Sequence, residues 1–174
     1  MSEFERLMDG YKQSHDRHWA YIDKCQRFCA DFLNGLAKYL QCERSRIENF
    51  VRKSKDDEPK KSYGGAGRID DEGWYECLFQ LRVPLGESSL NVPFLDLEAG
   101  CTMRIKLIAD SADVTVKLEC FTETIEQTVQ PGNLDGCYAA LVNCILKVLA
   151  SDLDNRLGSR RAQIGFHAPP QQKA

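Results

Sequence analysis

The sequence predicts an α+β fold: a four- to five-stranded antiparallel meander with a long N-terminal helix and a C-terminal helix packed on one face. Three observations predict it. Residues 74–130 repeat an apolar–polar alternation of period two, residues 2–40 carry apolar side chains at helical spacing, and residues 134–153 do so again. The links between the alternating runs are a few residues long, which suits antiparallel neighbours and is too short for parallel crossovers.

In the first run, Tyr75, Cys77, Phe79, Leu81 and Val83 alternate with Trp74, Glu76, Leu78, Gln80 and Arg82. The pattern returns in Met103, Ile105, Leu107 and Ala109, then in Val114, Val116, Leu118 and Cys120, and more weakly in Ile125, Gln127 and Val129. Asp110-Ser111-Ala112-Asp113 supplies short polar side chains that bond their own backbone, so a tight hairpin is expected there. Ala99-Gly100 is expected to turn the chain before Cys101. The run from Leu90 to Glu98 contains Pro93, which has no N–H to give a ladder, so it is expected at an edge or as half a strand.

The N-terminal helical segment is read as 2–53. Its seam is regular: Phe4, Met8, Tyr11, His15, His18, Ile22, Cys25, Cys29, Phe32, Leu36 and Tyr39 stand alternately four and three apart, the spacing of a coiled-coil stripe. Between residues 19 and 40, Trp19, Tyr21, Phe28, Leu33, Ala37 and Leu40 widen the apolar surface beyond that stripe, so more than one neighbour is expected. A helix from 2 to 40 would run roughly 58 Å, against the roughly 20 Å of a six-residue strand. It must bend, at Gly10 or Gly35, or project; projection into a homodimer is the expectation. Ile47, Phe50 and Val51 extend a helical reading from Glu43 to Lys53.

Residues 54–73 lose all periodicity, and their lysines, consecutive acids, Pro59 and Gly64-Gly65-Ala66-Gly67 read as a mobile linker. The glycines do not match a phosphate-cradling loop, since neither a preceding strand nor a Gly-Lys-Ser/Thr step accompanies them. Pro131-Gly132-Asn133 breaks the last strand and offers Asn133 as the N-cap of a C-terminal helix over 133–157, with Asp135 in its first turn. The tail, 159–174, reads as disordered. Residues 1–158 are taken as a single domain.

Net charge is −3, but residues 69–133 hold four basic and twelve acidic groups, which argues against a nucleic-acid backbone as partner. No apolar run is long enough for a transmembrane helix. The chain opens polar and periodic rather than on an apolar signal stretch, and many of its eight cysteines fall on apolar faces. A reducing cytoplasmic compartment is therefore expected.

His15, His18, Cys25 and Cys29 invite a zinc reading, but about 21 Å of helix separates the first from the last, so one chain does not bring all four to one ion. Eight cysteines and three histidines permit a nucleophile–base pair on paper, without any local signature for one. Asp70, Asp71, Glu72 and Glu76 lack the glycine and closing glutamate of a calcium loop. No metal, cofactor or catalytic residue is assigned. On the outward face of the sheet, Trp74, Arg82 and Arg104 offer a docking surface with an aromatic anchor.

In element order alone the chain resembles helix-grip ligand-binding proteins and small acidic secretion chaperones; the resemblance covers no motif and transfers no residue role. The expected function is a small non-enzymatic protein-binding protein of adaptor, chaperone or immunity type. It is expected to form a homodimer through its N-terminal helix, with His15, His18, Trp19, Ile22, Cys25, Cys29, Phe32 and Leu36 in the contact. The alternative is a binder of small apolar ligands, with a pocket between sheet and helices lined by Phe79, Leu107, Leu118 and Tyr138.

Overall fold

A computed structural model describes residues 2–54, 56–83, 97–121 and 123–156. The architecture is α+β with a helix at each end of the described chain, as expected, but the sheet is larger than the four or five strands the alternation predicts. Helix α1 (Glu3–Tyr39) is followed by a single 3₁₀ turn (Arg44–Arg46) and strands β1 (Ile47–Val51), β2 (Lys60–Ser62), β3 (Arg68–Ile69), β4 (Tyr75–Val83), β5 (Leu97–Leu107), β6 (Val114–Cys120) and β7 (Glu123–Val129), then by helix α2 (Asp135–Arg156). All neighbours are antiparallel and the order is β2-β1-β4-β5-β6-β7, with β3 beside the start of β4.

Helix α1 begins with a capping box: the Glu5 amide donates to Ser2 Oγ at 3.2 Å, and the Ser2 amide donates to Glu5 Oε2 at 2.5 Å. It ends without glycine. The Cys42 amide reaches back to the Ala37 carbonyl and the Gln41 amide to that of Lys38, both at 3.0 Å, with Gln41 in the left-handed region at φ 51°. This is a Schellman turn with glutamine where glycine is usual. Helix α1 runs unbroken through Gly10 and Gly35, the two positions named for the alternative of a bend. Gly35 serves packing instead: a Cβ there would overlap the Tyr138 hydroxyl, which donates to the Phe32 carbonyl at 3.2 Å.

Three further expectations are corrected. Residues 43–53 are not helical; they form the 3₁₀ turn and β1, whose β-branched and aromatic side chains pair with Leu78–Leu81 of β4. The stretch 54–73 contributes β2 and β3. Within it, Gly65 at φ 72° lies so close to α1 that a Cβ would strike the Ala30 amide and the Gln26 carbonyl, and its own carbonyl accepts from Tyr75 Oη at 3.2 Å. Ala99 and Gly100 lie inside β5, opposite Leu81 and Gln80, rather than in a turn. The Asp110–Asp113 hairpin forms as expected between β5 and β6. Asn133 stands one residue outside the cap, where Leu134 instead offers its carbonyl to the Tyr138 amide at 3.1 Å. Of the run from Leu90 to Glu98, residues 90–96 lie outside the described residues, as does the tail from 159, while Leu97 and Glu98 open β5 between β4 and β6 rather than at an edge.

The core forms on one side of the sheet. Tyr75, Cys77, Phe79 and Leu81 of β4 and the alternate residues of β5 and β6 face α1 and α2 in one buried cluster. Phe32 of α1 joins the layers, its ring centroid 6.3 Å from Phe79 and 5.0 Å from Tyr138. The opposite side of β4 is also closed at its centre, where Glu76 and Leu78 are buried; along β6 the outward residues are half-buried.

Candidate functional site

Among the described residues, the longest stretch that the fold leaves uncovered is the first half of α1. Its first buried residue is Cys25, and residues 2–20 are exposed throughout. The helix leaves the sheet where Tyr21 Oη donates to the Gly73 carbonyl at 3.2 Å, so residues 3–20 form a rod about 27 Å long beyond the β5–β6 hairpin end. Phe4 (71%), Leu7 (72%), Tyr11 (70%), Trp19 (56%) and Met8 (54%) are the large apolar side chains it shows to water.

At the middle of the rod, Tyr11, His15, His18 and Trp19 form a ring cluster with neighbouring centroids 6.0–6.2 Å apart. Trp19 Nε1–H donates to His15 Nε2 at 2.9 Å, which requires that nitrogen to be unprotonated. Asp16 Oδ1 lies 3.8 Å from His15 Nδ1. Farther along the same stripe, Ile22 is half-buried, and Cys25, Cys29, Phe32 and Leu36 are fully covered by the protein's own sheet and second helix. The uncovered part of the seam is thus limited to residues 4–22, because the sheet and second helix already occupy the rest.

The outward sheet face carries a row of charges in direct cross-strand register: Arg68, Glu76, Arg104, Lys117 and Glu126. Glu76 is its centre. Its Oε1 accepts from Arg52 Nε at 3.0 Å and Arg68 Nε at 3.1 Å, and its Oε2 accepts from Arg52 Nη2 at 3.0 Å. Arg104 Nε lies 3.6 Å from Oε2, and its Nη1 lies 3.4 Å from Glu119. Burial pushes the Glu76 carboxyl up, but the hydrogen bonds and charges of Arg52 and Arg68 together outweigh it and leave it below the ordinary carboxylate range. Arg82 pairs with Glu98 at 3.1 Å, and the Lys106 ammonium lies 5.6 Å from the Trp74 ring centre. All three outward candidates, Trp74, Arg82 and Arg104, therefore have partners within the chain.

Two grooves flank α1. One of about 800 Å³ lies between Tyr21, Lys24 and Phe28 of the helix and Leu107 to Val114 of the hairpin; another of about 520 Å³ lies between Ala30 and Asn34 and the β1–β2 region. Phe79, Leu118 and Tyr138 line neither, because they are packed in the core. The thiols are also inward: every cysteine except half-buried Cys42 is buried. Burial pushes Cys25 up to about 11 and Cys144 up to about 12. Among the described residues no group of three or more His, Cys, Asp or Glu is placed to hold a metal ion, and no helix is long and apolar enough to cross a membrane.

The alternating spacing of four and three was the signal that marked the rod. Register explains what it missed: Arg52 and Arg68, fixed on Glu76 by β1 and β3, lie in stretches read as helix and linker. Comparison of the chain with protein-family models, with curated proteins and with solved structures finds no match to any of them.

Proposed function

We propose that the protein is a non-enzymatic protein-binding protein whose two copies pair along the rods of their N-terminal helices, presenting two sheets for a protein partner. The observation that carries this reading is the bare half of α1. One stripe runs the length of the helix; at Cys25, Cys29, Phe32 and Leu36 the sheet and second helix cover it, while at Phe4, Met8, Tyr11, His15 and His18 water does. A row of large apolar side chains left in water along eighteen residues calls for cover.

A second copy is the occupant the stripe fits. Spacing of four and three is the pattern by which a helix packs against another like it, and every copy carries the same stripe. Phe4, Leu7, Met8, Tyr11 and Trp19 expose on the order of 600 Å² per copy, so the apolar area a symmetric pair could bury has an upper bound of about 1,200 Å², the lower end for specific protein–protein contacts. The outward sheet face, which carries Arg82 and Arg104 on its central strands and Trp74 just before β4, would then be offered twice, which suits an adaptor, chaperone or immunity-type role.

Light scattering on the purified chain at micromolar concentration tests the reading. A mass of twice 19.8 kDa is expected, falling to the single-chain value on Phe4→Ser/Tyr11→Ser. A wild-type chain that stays single would overturn it. The groove beside Tyr21 and Phe28 supports a second reading, a small-apolar-ligand binder, since its volume lies within the range of ligand pockets. Enhanced fluorescence of 8-anilinonaphthalene-1-sulfonate, lost on Leu107→Glu in a chain that stays folded, would favour it.

A further inference from the structure

We propose that protons regulate this pairing: neutral His15 and His18 fill the seam between two rods, and their protonation at mildly acidic pH drives the copies apart. The inference rests on the self-association above and specifies how it is controlled. His15 and His18 stand three residues apart at consecutive positions of the stripe, between Tyr11 and Ile22, so they fall in the middle of the paired stretch rather than at its rim. Histidine is the side chain that changes charge between about pH 5 and 8. Coiled-coil seam positions are closed to water, and charge placed there is penalised by lost hydration and by its like-charged counterpart.

Geometry adds a second penalty. His15 Nε2 accepts the Trp19 indole N–H at 2.9 Å, and an imidazolium has no lone pair with which to accept it. Protonation therefore breaks the bond that holds the Trp19 ring against the seam. The charged and titratable groups that face the histidines on their own helix are Lys12 and Tyr11 one turn before His15, Asp16 beside it, and Arg17 and Tyr21 near His18. Among the described residues no other element packs against this part of α1, and in the proposed pair the facing element is the second copy's rod, which brings the same groups. Among the described residues, Asp16 is the acid that lies beside an imidazole. At 3.8 Å and largely exposed, it offsets little of the charge that four imidazoliums would bring to a paired seam.

Sedimentation equilibrium of the full chain at pH 8.0 and pH 5.5 tests this, with far-UV circular dichroism confirming that the fold persists at both. The dimer dissociation constant is expected to rise at least about ten-fold at pH 5.5, and His15→Leu/His18→Leu is expected to reduce that change to within about three-fold. His15→Gln/His18→Gln serves the same purpose if the leucine chain does not fold. Equal pairing of the wild type at both pH values, or an undiminished pH effect in the substituted chain, would overturn the inference while leaving self-association standing. A wild type that is single at pH 8.0 would overturn self-association itself, and this inference with it.

Discussion

Glu76 is only 2% exposed, beside buried Leu78 at the closed centre of the outward sheet face, and it stays ionised there because three guanidinium groups converge on it. Removing its charge would strand Arg52, Arg68 and Arg104 around a neutral amide. Glu76→Gln is expected to cost about 2–3 kcal/mol in urea denaturation at pH 7, less than a fully enclosed pair because the arginines keep some solvent. The carboxyl lies below its ordinary range in the folded chain, so its contribution is fully present above that range and is lost as pH falls through the folded value. The substituted chain should therefore lose less stability between pH 5 and pH 3 than the wild type. Alternation in the sequence puts Glu76 on the outward side and suggests nothing more than a solvated strand entry. Its partners come through pairing of β1 and β3 with β4, and register between distant segments leaves no mark in local pattern.

At the scale of one element, α1 shows which signals a helix writes into its sequence and which it does not. Its start is marked by Ser2 and Glu5, and its contact stripe by the four-three spacing. The end is unmarked, because Gln41 takes the left-handed position that glycine usually announces, and the apolar residues after it prolong a helical pattern into what becomes β1. Gln41→Gly should stabilise the fold by about 0.5–1 kcal/mol by relieving that conformation, a gain readable in the urea midpoint. The rod is a separate matter from the core. Since the first buried residue of α1 is Cys25, deleting residues 2–17 is expected to move the thermal midpoint of the single chain by no more than about 3 °C while abolishing pairing. A collapse of the fold on that deletion would mean that the rod supports the core, contrary to its exposure.

For the whole molecule, two helices lie on the inner face of one antiparallel sheet, and the core between them is rich in thiols and phenols. Burial pushes Cys25 up to about 11, and Cys144, Tyr21 and Tyr138 up to about 12. These groups ionise more readily once unfolded, so the unfolded chain releases protons first. Stability is fully present below the ordinary thiol range and declines as pH rises through it. The denaturation midpoint should fall steadily between pH 8 and pH 10.5. Layering and handed-down alternation made this inner face legible in advance, whereas β2 and β3 were hidden because strands of two or three residues held by cross-strand bonds and a glycine contact carry no period. The claim on which the functional account turns is that the rod is covered by a second copy. Hydrogen–deuterium exchange at about 1 µM and 100 µM chain, at pH 8.0, locates that cover directly. Amides of residues 5–20 are expected to slow with concentration while those of β4–β6 do not change. Fast exchange of residues 5–20 at both concentrations would contradict it.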